Sequence, residues 1–261
     1  MKKGELWRTK MENKANEFIL QRKKKKKIKK IITLGILFLC IFIIFLFKAP
    51  LFQIHTVKVE NNNIIDSNEI IKLSKISNTN NIFYLNIKDT IKNVKRNPYI
   101  SQVSIKRVLP DKIIINVTEK SAAFYVNIDG EYYILNDDLR ILEKKVELNT
   151  ENLLEIKGID IKSQDVGEII TNNEKQIKLT KELYEILSNN VSNIKFTSMD
   201  ISNLYNLILY SGNVQIKLGN DEELKDKINK AINILESKDV NLTKGYIDLS
   251  FKGNTVIKQE S

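Results

Sequence analysis

Few side chains in this chain of 261 residues could act as nucleophiles, bases or metal ligands. Ser192 and Lys195 have the S-x-x-K spacing of serine nucleophiles that work with a lysine. No Lys-Thr-Gly or Ser-Asp-Asn sequence accompanies them, so chance in a chain rich in serine and lysine explains the spacing better. His55 could be a general base, but its place beside Thr56 in a predicted strand favours an ordinary strand position.

Cysteine and histidine, the other common nucleophiles and metal ligands, are almost absent. Cys40 is the only cysteine and His55 the only histidine, which leaves little for metal binding or covalent catalysis. The sequence has no glycine-rich phosphate loop and no Cys/His metal spacing. We therefore predict a protein that is not an enzyme, with no catalytic residue, metal, cofactor or small-molecule substrate.

The net charge of +10 belongs to one end of the chain. Residues 1–30 carry 13 lysines and arginines against three acids, whereas the rest of the chain carries 29 bases and 29 acids. A nucleic-acid-binding domain would itself be basic. The balanced charge of the remainder argues against nucleic acid as a partner.

An uncharged run of seventeen residues, Ile31 to Phe47, follows the basic tail. As a helix it would be roughly 26 Å long, so we expect residues 49–52 to help complete a crossing of the ~30 Å hydrocarbon core. The alternative is a cleaved signal peptide, but no small-residue cleavage site follows the run. We predict an uncleaved membrane anchor over residues 31–50.

The charges that flank this run predict its orientation. Eight bases precede it directly and Lys48 alone follows, so the positive-inside rule places the N-terminus in the cytoplasm. The same bases could contact anionic lipid headgroups. This basic cluster consists of Arg22, Lys23, Lys24, Lys25, Lys26, Lys27, Lys29 and Lys30.

The first seventy residues after the run predict the order strand, helix, helix, strand, strand. Alternating apolar residues indicate a strand at 53–60, and Asp66 with Glu69 has the pattern of a capping box that begins a helix. A second helix has its apolar residues at Ile87, Ile91 and Val94, and two alternating strands follow around residues 102–106 and 112–118.

The second half predicts short strands with two or three helices. Helices are predicted at 173–188 and from Asp221 onward, and Asp129-Gly130 is a strong hairpin signal. Strands are predicted at 124–128, 132–135, 139–142, 153–157, 194–199, 204–210, 214–218 and 246–251. The predicted fold class is therefore α+β.

Three stretches resemble a known family. Residues 52–59 read F-x-I-x-x-V-x-V, residues 98–119 read P-Y-I-x-x-V-x-I-x-R-x-x-P-D-x-I-x-I-x-V-x-E, and residues 246–249 read Y-I-D-L. With the basic tail and single span, these resemble the bacterial division proteins FtsQ and DivIB. The strand-helix-helix-strand-strand module resembles the POTRA domain of that family.

The chain departs from the family pattern at three points. Asn61-Asn62 stands where the family usually has glycine, and Ser121 stands where it usually has proline. Ser250 stands where the closing strand usually continues with arginine. The third change affects any contact that depends on that arginine.

The resemblance implies a non-enzymatic scaffold of the division complex at the septum of the cell membrane. It implies partners like FtsL and like DivIC or FtsB, and a part in the control of septal peptidoglycan synthesis. The family receives a partner strand at its last strand, which we place at residues 246–251, at a sheet edge. The partner-binding residues implied here are Tyr246, Asp248, Ser250, Phe251, Lys252, Val256 and Ile257.

The predicted organisation has five parts. These are a cytoplasmic tail (1–30), a transmembrane helix (31–50), a POTRA-like domain (51–120), a β domain (121–257) and a polar tail (258–261). An anchored sensor would need a folded cytoplasmic module, and an anchored cell-wall enzyme would need a coherent catalytic set. An outer-membrane assembly factor would need several POTRA repeats and a barrel.

Overall fold

A computed structural model describes residues 2–77, 80–148, 153–237, 240, 242–251 and 253–260. Its helices are α1 (Lys2–Lys48), α2 (Ser67–Ser74), α3 (Ile87–Val94), α4 (Glu174–Ser188) and α5 (Leu224–Glu236), with a short 3-10 helix at Pro50–Phe52. The strands are β1 (Thr56–Glu60), β2 (Ile100–Val108), β3 (Lys112–Glu119), β4 (Phe124–Ile128), β5 (Glu131–Leu135), β6 (Ile141–Lys145), β7 (Leu154–Lys157), β8 (Ser198–Asp200), β9 (Leu207–Ser211), β10 (Asn213–Gly219), β11 (Lys244–Asp248) and β12 (Val256–Gln259). The predicted α+β class is confirmed.

Two compact units divide the chain. The first comprises Met1–Lys58, Ile76–Ile87 and Ile105–Ile114. The second comprises Val59–Lys75, Lys88–Ser104 and Ile115–Ser261. The predicted order of strand, helix, helix, strand, strand is present as β1, α2, α3, β2 and β3, and these strands form a sheet in the order β1-β3-β2.

The first unit secures the end of α1. The last carbonyls of a helix have no partner within the helix and must find one elsewhere. The Asn81 side-chain amide donates to the carbonyls of Leu46 and Phe47 at 3.1 Å each, while its oxygen accepts from the Phe83 N–H. A conformationally fixed loop therefore caps the helix.

Arg107 holds the same loop from β2. Its Nε donates to the Ile82 carbonyl at 2.8 Å and its Nη2 to the Leu85 carbonyl at 2.7 Å. Because the guanidinium is planar and always charged, it can hold two carbonyls at a fixed spacing. This explains what the arginine of the P-Y-I…P-D stretch does here.

Glu119, at the end of β3, closes a turn in the second unit. Its carboxylate accepts from three consecutive N–H groups, those of Asn63, Ile64 and Ile65, at 2.8 to 2.9 Å. Partial burial favours the neutral acid, but the three donors together outweigh it and lower the pKa of Glu119. The chain between β1 and α2 is therefore fixed by a residue that lies far away in the sequence.

A nine-stranded sheet forms most of the second unit. Its order is β12-β11-β10-β9-β8-β7-β4-β5-β6, with parallel pairing at β4–β7, β7–β8 and β10–β11. One hydrophobic core follows the sheet, and the apolar stripes of α4 (Leu179, Leu183) and α5 (Ile228, Ile232) contribute to it. The Asn173 side chain caps α4, accepting from Lys175 N and Gln176 N.

Several element predictions were wrong in detail. Glu69 does not complete a capping box, because its carboxylate accepts from Asn97 instead, although Asp66 does cap α2. Helix α1 ends at Lys48 and α5 begins at Leu224, after the acidic turn rather than within it. The strand predicted at 194–199 is only Ser198–Asp200, and the strand predicted at 139–142 is Ile141–Lys145.

Replacing Glu119 by glutamine should destabilise the protein by about 1–2 kcal/mol, because hydrogen bonds to a charged group stabilise by about 1.5–3 kcal/mol and this group is partly solvated. A carboxylate with a lowered pKa stabilises the fold above its unfolded-state pKa, and the effect is lost as the pH falls through the folded-state pKa. Urea unfolding midpoints of the full chain in detergent, at neutral and acidic pH, would test this. The control is Glu147→Gln, whose carboxyl is exposed.

Glu119→Gln should have a lower midpoint than wild type at neutral pH, and this difference should narrow in acid. Equal midpoints at neutral pH would contradict the role given to Glu119.

Candidate partner-binding edge

The last strand of the chain is one that the sequence did not reveal. Residues 246–251 were predicted to form it at a sheet edge, but β11 ends at Asp248 and is covered by β12. The strand β12 pairs antiparallel with β11 and is itself the edge. The prediction missed it because Val256-Ile257-Lys258-Gln259 is too short to show a clear alternation.

The predicted partner-binding residues therefore fall in three places. Tyr246 and Asp248 lie on β11, Ser250 and Phe251 lie in the connection that follows, and Val256 and Ile257 lie on β12. Lys252 lies outside the described residues. Ile247 and Leu249 between them are buried, as expected for the inward side of an alternating strand, whereas half of Phe251 is exposed.

Some backbone N–H and C=O groups of β12 face away from β11. The Glu260 N–H donates to the Lys244 carbonyl, so Glu260 faces β11. Backbone groups alternate in direction along an antiparallel strand, so those of Lys258 also face β11, while those of Ile257 and Gln259 face away from it. The edge thus presents donors and acceptors that a further strand could pair with.

The side chains of this edge add apolar surface. Val256 and Ile257 are exposed, and the Phe251 ring is exposed near the start of the same strand. The opposite edge of the sheet, β6, carries Glu143, Lys144 and Lys145. Charged side chains on an edge strand disfavour strand addition, so the two edges differ in their capacity to accept a partner.

The charged groups of β6 already have partners. Glu143 accepts a hydrogen bond from the Tyr99 hydroxyl at 2.7 Å and pairs with Lys145, and Lys144 pairs with Glu131. Burial and the Glu143 carboxylate both raise the pKa of Tyr99, which keeps its hydroxyl a donor. The β6 edge is thus engaged within the second unit, and β12 is the better candidate for binding.

A cleft of about 770 Å³ borders the β11–β12 connection. Its lining includes the exposed acids Glu222, Glu223 and Asp226, together with Ser250 and Phe251. The Thr255 hydroxyl, which also lines it, is buried and has no hydrogen-bond partner among the described residues. A partner that adds to β12 would therefore find polar groups and an aromatic ring beside the strand.

Ser250, which replaces the family arginine, is engaged locally. Its hydroxyl donates to the Asp248 carboxylate at 2.6 Å, and its N–H donates to the same oxygen at 3.0 Å. The short side chain thus closes a turn after β11 and does not extend from the surface. A contact that uses an extended guanidinium cannot be made at this position.

The side chains considered for catalysis do not assemble into a site. The Ser192 hydroxyl accepts from the Ile194 N–H at 3.3 Å in a local turn, and no hydrogen bond joins it to the Lys195 side chain in this described loop. His55 lies 3.5 Å from the Asp111 carboxylate on the surface. Across the described residues, no group of three or more His, Cys, Asp or Glu side chains could hold a metal ion.

The basic cluster from Arg22 to Lys30 lies on α1, and all eight side chains are exposed. Within α1, the segment Leu20–Lys48 has the length and apolar composition needed to cross a membrane. The class of protein is thus one with a single apolar N-terminal helix, a small β-α-α-β-β module and a larger mixed sheet with a free edge.

Comparison with known sequences identifies the family. Residues 52–120 match the family described as "POTRA domain, FtsQ-type", and residues 124–250 match "Cell division protein FtsQ/DivIB, C-terminal". The chain is 40% identical to the cell division protein DivIB of Clostridium tetani, over 94% of each chain. It is 35% identical to DivIB of Clostridium botulinum strain Loch Maree, over 93% of this chain and 95% of the relative.

More distant relatives include DivIB of Bacillus subtilis, 26% identical over 74% of this chain and 71% of the relative. The chain belongs to the FtsQ/DivIB family of bacterial cell division proteins, so it has a role in the division complex. The predicted family is thereby confirmed. The family match ends at Ser250, so β12 lies beyond it.

Replacing Gly245 by alanine should detach β12 from the sheet. Gly245 is buried with φ +129°, and an added Cβ would overlap the Lys258 carbonyl oxygen on β12. Hydrogen exchange of the full chain in detergent should then be faster at Lys258 and Glu260, whose N–H groups face β11, and unchanged in β9 and β10.

Gly212→Ala is the matched control, because Gly212 also has positive φ (+56°) but has open space where the Cβ would lie. Gly212→Ala should lower the free energy of unfolding by roughly 1–2 kcal/mol through backbone strain. The amides of Lys258 and Glu260 on β12 should stay protected from hydrogen exchange. Unaltered protection of Lys258 and Glu260 in Gly245→Ala would show that β12 does not need this glycine.

Proposed function

We propose that this protein is a non-enzymatic scaffold of the division complex that binds partners like FtsL and like DivIC or FtsB. Through these contacts it helps control septal peptidoglycan synthesis. The observation that carries the proposal is the free β12 edge, with outward backbone groups at Ile257 and Gln259 and exposed side chains at Val256 and Ile257.

The proposed topology follows the charge distribution. The basic cluster keeps residues 1–30 in the cytoplasm, where it also contacts anionic lipid, and the rest of the chain folds outside the membrane. In this arrangement residues 51–120 form the POTRA-like domain and residues 121–257 the β domain that presents the partner-binding edge. The protein concentrates at the septum through its partners.

The proposed binding mode is strand addition. An extended partner segment pairs with Ile257 and Gln259, and its apolar side chains contact Phe251 and Ile257. Polar or basic side chains of the partner enter the cleft beside Asp226 and Ser250. Main-chain pairing gives the affinity, and the side chains beside the strand give specificity.

Ile257→Pro should abolish binding of a DivIC-like extracytoplasmic segment to the full chain in nanodiscs. Proline removes the outward N–H of Ile257, whereas the N–H groups that face β11 remain. Ile257→Thr, which keeps both the N–H and the branched side chain, should retain most of the affinity. The two dissociation constants, measured by fluorescence anisotropy, separate backbone pairing from side-chain contact.

Phe251→Lys, measured in the same way, should raise the dissociation constant by about tenfold or more, since each tenfold change corresponds to ~1.4 kcal/mol. Equal binding by Ile257→Pro and wild type would exclude strand addition at β12. No binding by the wild type would remove the proposed mechanism altogether.

The non-enzymatic character predicts that Ser192→Ala and His55→Ala support division as wild type does. Complementation of a strain depleted of its own DivIB, scored by cell length, would measure this. Filamentous cells with either variant at normal protein levels would indicate a catalytic or other chemical role.

A further inference from the structure

Three exposed apolar side chains occur in the first unit close to the end of α1. Leu51 is 61% exposed, Tyr84 67% and Leu109 58%. They come from separate segments, namely the 3-10 helix, the loop between α2 and α3, and the turn between β2 and β3. We call these three residues the membrane-proximal patch. Exposed apolar groups that are grouped on one part of a surface mark an interaction site, and the contacts of Tyr84 and of the residues flanking Leu109 with segments near the end of α1 indicate such a grouping.

Tyr84 lies directly beside the last turn of α1. Its ring centroid is 4.7 Å from that of Phe47, and the neighbouring Phe83 ring is 6.0 Å from Phe47. Asn81, three residues earlier, caps the α1 carbonyls as described above. Tyr84 is therefore held at the level where the apolar helix ends.

Leu109 lies at the same end of the first unit. It follows Arg107, which is bound to the carbonyls of Ile82 and Leu85, and precedes Asp111. The Asp111 carbonyl accepts from the N–H groups of His55 and Thr56. The turn is thus tied on both sides to segments that adjoin the end of α1.

The charges of these segments favour an anionic, amphipathic ligand. Residues 49–57 and 80–87 contain no acid, and residues 105–112 contain Lys106, Arg107 and Lys112 against Asp111. Lys48 ends α1. Tyrosine is enriched at both membrane–water interfaces, and lysine or arginine close to the surface is attracted to anionic headgroups.

We propose that the membrane-proximal patch enters the headgroup region of the bilayer that α1 crosses. Tyr84 and Leu109 contact the upper acyl chains, while Lys106 and Lys112 face anionic headgroups. The bilayer is the occupant that the structure favours, because the cap on α1 delivers the patch to the membrane surface whether or not a protein is bound. The contact would fix the first unit against the membrane at several points, not only through the helix.

Spin labels at single cysteines in the full chain would test the contact. The native Cys40 is replaced by serine, and labels are placed at Leu109→Cys or Tyr84→Cys. The control is Ile64→Cys, which is 50% exposed and lies in the second unit, after β1. The protein is reconstituted in nanodiscs of phosphatidylcholine and phosphatidylglycerol, and label collision with oxygen is compared with collision with a water-soluble nickel chelate.

Labels at Leu109 and Tyr84 should lose nickel accessibility and gain oxygen accessibility relative to the label at Ile64. Leu109 is the decisive position, since Tyr84 adjoins the helix itself. Nickel accessibility at Leu109 equal to that at Ile64 would overturn the proposal. So would a Leu109 label that is shielded only after a protein partner is added, because the patch would then be a protein-binding surface.

A second measurement tests the contact of Lys106 and Lys112 with anionic headgroups. Replacing both Lys106 and Lys112 by glutamine should remove the dependence of Leu109 shielding on phosphatidylglycerol. The matched control is Lys225→Gln with Lys230→Gln, two exposed lysines on α5. Shielding that responds to phosphatidylglycerol equally in both double variants would contradict a headgroup contact at Lys106 and Lys112. Urea midpoints near that of wild type would show that each variant is folded.

Discussion

The end of the apolar helix is the constraint on which the first unit depends. A helix that stops at a membrane surface leaves carbonyls that need donors, and here one asparagine side chain supplies them for Leu46 and Phe47. That asparagine can do so only because Arg107 fixes the next residues of its loop, and Arg107 is positioned by β2. The cap is therefore a chain of polar contacts that links the helix to a strand sixty residues later in the sequence.

Glu119 plays a similar part in the second unit. It ends β3 and accepts from three N–H groups in the connection between β1 and α2, so one carboxylate replaces the acceptors that a longer turn would need. The family pattern from Pro98 to Glu119 thus has a physical basis, since two of its charged residues, Arg107 and Glu119, bind backbone groups of distant loops. Asn61 can stand where the family has glycine because its φ of +64° lies in the left-handed region, which asparagine tolerates better than most residues.

The sequence predicted the membrane helix, the order of elements up to β3, and α4, because each has a strong local pattern. The sequence-based prediction was wrong where the structure is decided by contacts between residues that are far apart in the chain. Glu69 has capping-box spacing, yet Asn97 takes its carboxylate. The edge strand was misplaced because β11 is fixed by parallel pairing with β10, and β12 by the space that Gly245 leaves, neither of which is visible in residues 246–259 alone. The burial of Ile247 and Leu249 was predictable, since alternation in a closing strand is local.

The parallel pairing of β10 with β11 has a consequence for biosynthesis. The two strands are joined through α5, so β11 can pair with β10 only when the whole connection has been made, and β12 can close on β11 only when residue 259 is present. A nascent chain that has emerged only as far as residue 250 would expose β11 in place of the edge described here. A ligand that pairs with β12 would therefore bind only chains in which this strand has been made and has already closed on β11.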